Sequence, residues 1–282
     1  MRTVIFLAIV VFSSAKSQSE SLSAKKCQEF YSTADNKQFK EPSESGLELA
    51  ESDEFPYMVA IGWKNKDGLI DYRCAGVLID PKFIVAPAYC AAYQGEKPSV
   101  VQVGKTQLNE PSQAEDSLPI KNIIVHPDRK EDTFYNDIAL YELEAPVAKL
   151  PACLWDEAEI SNAENTLVTY DRNETESEKA DKLIKIKTKL HPNDQCMEFY
   201  RIFPNADKGI MDTQLCAVEI NTKDCRIQAS GPLLLQKLDD KKSIPYVIGI
   251  SSFTSECSGD SAPSIYSKIP AYAKWIESVV WV

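Results

Sequence analysis

The sequence predicts an all-β chain, a pair of barrels or sandwiches, finished by one C-terminal helix. Three observations carry that expectation. Short runs rich in β-branched and aromatic residues recur along the chain, separated by Asp, Pro, Gly and Asn. Apolar residues at helical spacing occur in one place, the C-terminal "IPAYAKWIESVVWV". The chain has 282 residues and no obvious internal repeat, which suits two β units.

In chain order, residues 1–15 read as a secretory signal peptide. One arginine precedes an apolar run from Val4 to Phe12, and Ser13 and Ala15 are small enough for a cut after Ala15. That run is too short to span a bilayer. Residues 16–43 read as a short, extended leader with one cysteine, too poor in apolar residues to bury a core. Periodic structure begins near Phe55. "YMVAIGW", "CAGVLI", "FIVAPA", "VVQVG", "IKNIIV" and "IALYEL" are the strands of the first half. After Pro151 follow "NTLVTY", "LIKIKTKL", "QLCAV", "GPLLLQKL", "YVIGISSF" and "SIYSKI". The interval from Asp156 to Lys182 is the most charged and reads as solvated surface loop. In the final helix Tyr272, Trp275, Ile276 and Val279 share one side.

Composition narrows the function classes. The formal net charge is −11, and loss of Arg2 with the signal makes it −12. That balance argues against non-specific binding to nucleic acid or anionic membrane, which needs basic patches. Eight cysteines follow the signal: Cys27, Cys74, Cys90, Cys153, Cys196, Cys216, Cys225 and Cys257. An even count in a secreted chain implies disulfides, although arithmetic alone leaves 105 pairings open. No pair has CxxC spacing, so no metal or redox centre is expected, and no cofactor is implied. Asn173-Glu174-Thr175 is a glycosylation sequon in a polar stretch.

Several motifs stand in a set order: "FPYMVAI", "CAGVLIDPKFIVAPAYC", "NDIALYELEAPV", "PACLW", "DCRIQASGPLLL", "VIGISSF" and "PSIYSKIPAYAKWI". The series resembles the chymotrypsin-like (trypsin-family) serine protease domain from Glu44 to Val282. The resemblance implies two six-stranded antiparallel β-barrels with a C-terminal α-helix packed across them. It also implies the pairings Cys74–Cys90, Cys196–Cys216, Cys225–Cys257 and Cys27–Cys153, which would leave no thiol to act as a substitute nucleophile.

Catalysis in that family needs a serine nucleophile, a histidine base and an aspartate that orients the imidazole. Asp137 in "NDIAL" matches the aspartate. The histidine slot holds Tyr89 and the serine slot holds Ala229. A phenol, with a reference pKa near 10, is poorly matched to take a proton at neutral pH, and alanine has no nucleophile. His126 and His191 both precede proline in turn-like contexts and read as surface residues. Losing nucleophile and base together leaves no credible hydrolysis. Without its histidine, Asp137 is expected to accept a hydrogen bond from the Tyr89 hydroxyl or from nearby backbone.

Further departures point the same way. The expected activation bond follows Ser43, where trypsin-like processing needs Lys or Arg, and the new terminus would be Glu44. The aspartate that pairs with that terminus in the family is replaced by Gln228. Ser230 stands where the resemblance places an oxyanion-hole glycine. The specificity-pocket positions are Lys223 at the floor, Thr254 in the wall and Ser264 opposite. The resemblance therefore implies a secreted, non-catalytic protease homologue of the insect type. The leader, with its single cysteine, is too small for a clip domain. Its expected partners are extracellular proteins of a protease cascade in innate immunity or melanisation: proteases, inhibitors or prophenoloxidase-type substrates. Two other readings follow from the same residues: an endopeptidase with an unrecognised catalytic set, and a decoy that holds inhibitors or substrates without turnover.

Overall fold

The computed structural model describes residues 20–32, 46–108, 117–160, 164–171, 181–200, 206–220, 231–239, 242–254 and 263–282. The elements run α1 (Leu22–Tyr31), β1 (Leu47–Leu49), β2 (Met58–Lys64), β3 (Ile70–Asp80) and β4 (Phe83–Ala86). A 3₁₀ turn (Ala88–Ala91) precedes β5 (Val100–Val103), β6 (Gln107–Leu108), β7 (Leu118–Val125), β8 (Ala139–Leu143) and β9 (Cys153–Leu154). The second half holds β10 (Glu164–Asp171), β11 (Asp181–His191), α2 (Asn193–Tyr200), β12 (Gln214–Glu219), β13 (Pro232–Asp239), β14 (Lys242–Thr254), β15 (Ser264–Lys268) and α3 (Ile269–Val280).

Two barrels result, all of their strand pairs antiparallel. The first closes in the order β2-β3-β4-β8-β7-β5. The second runs β11-β10-β13-β14-β15-β12 and closes because β12 also pairs with β11, placing Cys216 opposite His191. The strand β1 adds to β11 with Leu47 opposite Ile186, and Gly46 accepts a bond from the Lys187 N–H at 2.7 Å. In the first barrel β2, β4, β5 and β8 are buried almost throughout, with Met58, Val59, Ala60, Ile61, Ile84, Val85 and Leu140 fully shielded, while β7 is half-buried to exposed along its length. That burial removes apolar surface from water on both faces of the strands and drives closure.

Two motif glycines are fixed by packing. A Cβ at Gly76 would meet the Val85 carbonyl oxygen at 3.0 Å and the Ile84 side chain at 2.9 Å. A Cβ at Gly231 would meet the Val168 carbonyl oxygen at 2.1 Å. In both places a strand crosses too closely for any side chain, whatever chemistry the site performs.

The helix α3 buries Tyr272, Ala273 and Ile276, with Trp275 and Val279 packed against the same core. Two further helices correct the expectation of a single one. The polar leader is not extended throughout: α1 begins on the Ser21 hydroxyl, which accepts from the Ala24 N–H at 3.0 Å, and buries Ser23, Cys27 and Tyr31. The Tyr31 hydroxyl donates to the Pro151 carbonyl at 2.9 Å. The Ser23 N–H and hydroxyl both donate to Glu277 on α3, at 2.8 and 2.7 Å. The short α2 buries Cys196 and Tyr200. Disulfides join Cys27–Cys153, Cys74–Cys90 and Cys196–Cys216. Cys225 and Cys257 lie outside the described residues.

A buried ion pair crosses between the halves. Lys185 Nζ on β11 lies 2.7 Å from Glu54 Oε1 in the segment leading into β2, each side chain only 3% exposed. Glu54 also accepts from the Glu51 N–H at 2.8 Å, which orders the turn that delivers Phe55 into the core.

Candidate functional site

Asp137 is the centre of the site. It sits just before β8, at the seam between the barrels, and is 1% exposed. Asn136 precedes it with φ 53°, a left-handed conformation that asparagine tolerates and that turns the chain inward. The Asn136 side chain holds that turn, donating to the Asp128 carbonyl at 3.1 Å and accepting from the Tyr272 hydroxyl at 3.2 Å.

A carboxylate at that depth must be bonded on every side. The Tyr89 backbone N–H donates to Asp137 Oδ1 at 2.9 Å. The Ser252 hydroxyl of β14 donates to Oδ2 at 2.8 Å. Arg129 Nε lies 3.3 Å from Oδ1, its side chain 10% exposed. The Asp137 carbonyl accepts from the Ser267 hydroxyl of β15 at 2.9 Å. Burial pushes the Asp137 carboxyl above the usual carboxylate value, while Arg129, the Ser252 hydroxyl and the N–H groups of Tyr89 and Ala88 pull it back down. One acid thus takes bonds from the first barrel's 3₁₀ turn, its own loop and two strands of the second barrel.

Tyr89 lies in the 3₁₀ turn beside Cys90, whose disulfide to Cys74 fixes the turn against β3. The expected contact between Tyr89 and Asp137 is made by the backbone: any residue but proline at 89 would supply this N–H, and Tyr89 is 44% exposed. Ala229, Gln228, Ser230 and Lys223 lie outside the described residues, as does Asn173. Of the pocket wall, Ser264 is buried and pairs with Thr254 in register. Phe253 stacks on Phe134 with centroids 3.9 Å apart and meets Tyr200 edge-on at 5.6 Å. Phe134 and Phe253 come from different barrels, so this stack lies across the seam.

The two histidines are not at Asp137. His126 is half-buried rather than a plain surface residue, because its ring packs edge-on against Tyr272 at 5.3 Å and Trp275 at 4.8 Å on α3. Burial lowers its pKa, with Asp128 opposing. His191 closes β11. Among the described residues, no group of three or more His, Cys, Asp or Glu could hold a metal ion. A cavity of about 440 Å³ opens between α1 and the second barrel, with Tyr31, Trp155, Ile244 and Tyr246 among its lining. It shares no lining residue with the Asp137 site.

Two six-stranded antiparallel barrels, a C-terminal helix and a buried acid bonded from both barrels define the chymotrypsin-like class of fold. The comparisons agree. The trypsin family model matches residues 45–276, and the chain belongs to that family. It is 30% identical over 237 residues to the Drosophila melanogaster serine protease snk, covering 80% of this chain and 54% of that protein. It is 30% identical over 251 residues to phenoloxidase-activating factor 1 of Holotrichia diomphalia, covering 80% of this chain and 66% of that one. The CLIP domain-containing serine protease B9 of Anopheles gambiae is 28% identical over 258 residues, with 83% and 62% covered. The chain thus spans less than two thirds of the length of each of these relatives. Among solved structures, the Drosophila Grass clip serine protease of the Toll pathway superposes with a TM-score of 0.67. That match covers 90% of this chain and 77% of the other at 21% identity, a likeness of fold.

Sequence reading missed Arg129 and the Asp137 contacts of Ser252 and Ser267. Ser252 was legible as part of a motif, whereas "PDRKEDTFYN" presents Arg129 as one charge among several in a polar loop.

Proposed function

We propose that this chain is a secreted, non-catalytic member of the trypsin family that acts by binding proteins of an extracellular protease cascade. Residues 1–15 serve as its secretory signal and residues 44–282 form the protease-like domain. The observation that carries the reading is the environment of Asp137. The acid that should orient an imidazole is met by a backbone N–H, a serine hydroxyl and an arginine, and the residue in the histidine slot is Tyr89. Arginine remains protonated at any physiological pH and cannot act as a base. With Ala229 in the serine slot, attack and proton transfer both lack their groups. The cascade assignment draws on the names of relatives, which include a phenoloxidase-activating factor and insect clip-domain proteases.

The test is chemical. The purified secreted chain is treated with a fluorophosphonate probe and a panel of fluorogenic peptides. No labelling and no turnover are expected; stoichiometric labelling would overturn the reading. Capture of partners from the source's extracellular fluid, scored for proteases, inhibitors and phenoloxidase zymogens, then identifies what is bound. A decoy that holds inhibitors or substrates without turnover is the alternative binding role, and recovery of inhibitors alone would select it.

A further inference from the structure

We propose that Arg129 is the charge partner of Asp137, and that this ion pair holds the 126–137 segment folded on itself at the seam between the barrels. A buried carboxylate bonded only by a backbone N–H and a hydroxyl still lacks a counter-charge, which burial makes costly. Arg129 meets that need at 3.3 Å, and its side chain is itself nearly buried, out of reach of the screening that makes exposed pairs weak. Its guanidinium is aimed by its own loop: Nη1 donates to the carbonyls of Lys130 and Thr133. The backbone repeats the fold-back, with the Arg129 N–H on the His126 carbonyl at 3.0 Å and the Thr133 N–H on the Lys130 carbonyl at 3.1 Å.

Beyond the arginine, the same segment is fastened to the second barrel. The Phe134 carbonyl accepts from the Gln214 side chain at 2.9 Å. The Tyr135 hydroxyl donates to the Gly209 carbonyl at 2.9 Å and accepts from the Lys208 N–H at 2.8 Å. Together with the Phe134–Phe253 stack, these contacts lay the segment over the seam, with the Arg129–Asp137 pair as its inner anchor. Arg129 is a positioning residue. Its role stands on stability measurements and holds whether or not the chain proves to be catalytic.

The competing account is that Arg129 serves only the carbonyls of its own loop and lies beside Asp137 incidentally. A double-mutant cycle separates the two, because the carbonyl bonds are independent of the residue at 137. Urea unfolding is measured for the full chain, Arg129→Met, Asp137→Asn and the double variant. Asparagine keeps an acceptor for the Tyr89 N–H and removes the charge. Its NH2 replaces the other oxygen, so the Ser252 hydroxyl must turn from donor to acceptor, a change common to both backgrounds of the cycle. Arg129→Met is expected to raise the unfolding constant roughly a hundredfold beside Asp137, and tenfold or less beside asparagine. Equal effects in both backgrounds would overturn the proposal. Should a variant fail to fold, the unmodified protein gives the answer by NMR. The Arg129 Nε–H resonance is expected to shift with the Asp137 carboxyl through one shared acid midpoint, and an Nε–H that ignores that titration overturns the pairing.

Discussion

Replacing Cys27 and Cys153 together by alanine is expected to cost the protein up to about 4.8 kcal/mol of stability. The crosslink spans 126 residues. The Cys74–Cys90 bond lies inside that loop and spans 16 residues, which trims the effective loop to about 110. Loop-closure entropy for that length, with the constant term, gives the figure above as an upper value, and measured losses for native bonds run about 2–5 kcal/mol. The helix α1 should bear the consequence first. Ten residues are too few for a stable isolated helix. Without the bond, α1 is held by Tyr31 in the core, the Tyr31–Pro151 hydrogen bond and the Ser23–Glu277 bonds. Urea unfolding followed by tryptophan fluorescence reads the global loss, and amide exchange over residues 22–31 reads the local one. A loss below about 1 kcal/mol, with α1 protected as well as the strands, would refute the view that this bond secures the leader.

Three other expectations follow from the same contacts. Glu54→Gln should destabilise by up to about 3 kcal/mol, because Lys185 keeps only the more exposed Glu48, 3.6 Å away, as its ionic partner, whereas Glu54→Leu with Lys185→Met should cost less; urea midpoints decide it. His126 has a folded-state pKa below its unfolded value near 6.5, so its contribution is present above that value and is lost as pH falls through the folded pKa. Stability should therefore drop between pH 7.5 and 5, and His126→Phe should flatten that part of the curve. Restoring Tyr89→His and Ala229→Ser together should yield no peptidase activity on fluorogenic substrates, because Arg129 still occupies the acid and Gln228 and Ser43 are unchanged.

What the sequence disclosed and what it hid divide along a physical line. Most strands of both barrels are buried or alternating runs rich in β-branched residues and bounded by turn residues, a local signal that needs no partner to be read. The apolar stripe of helices α1 and α2 is short and set among charged and polar residues. Each buries one cysteine and one tyrosine four residues later, Cys27 with Tyr31 and Cys196 with Tyr200, and a disulfide does what an apolar face does elsewhere. The triad positions were expected at Tyr89, Asp137 and Ala229 because motif positions are fixed in sequence, and of these Tyr89 and Asp137 lie among the described residues. Arg129 and His126 were not legible, because what decides their roles is distant in the chain: a buried acid for one, two aromatic rings on α3 for the other. Lys185 is similar, one of several lysines along β11 whose burial depends on a glutamate from the opposite half.

The unequal fate of the triad positions then has a structural cause. The bond that Tyr89 gives Asp137 comes from its backbone N–H, so this contact places no demand on the side chain at 89. Asp137 is different: its carboxylate and carbonyl bind groups from the 3₁₀ turn, the 126–137 segment, β14 and β15. Removing it takes an acceptor from the part-buried Tyr89 N–H and from the buried Ser252 hydroxyl, and the counter-charge from Arg129, which keeps its loop carbonyls; each lost partner costs about 1–3 kcal/mol. Asp137→Ala is therefore expected to destabilise by several kcal/mol and Tyr89→Ala by much less, as read from urea midpoints. Comparable losses at both positions would mean that the tyrosine side chain carries the seam as well, and that retention of Asp137 needs another explanation.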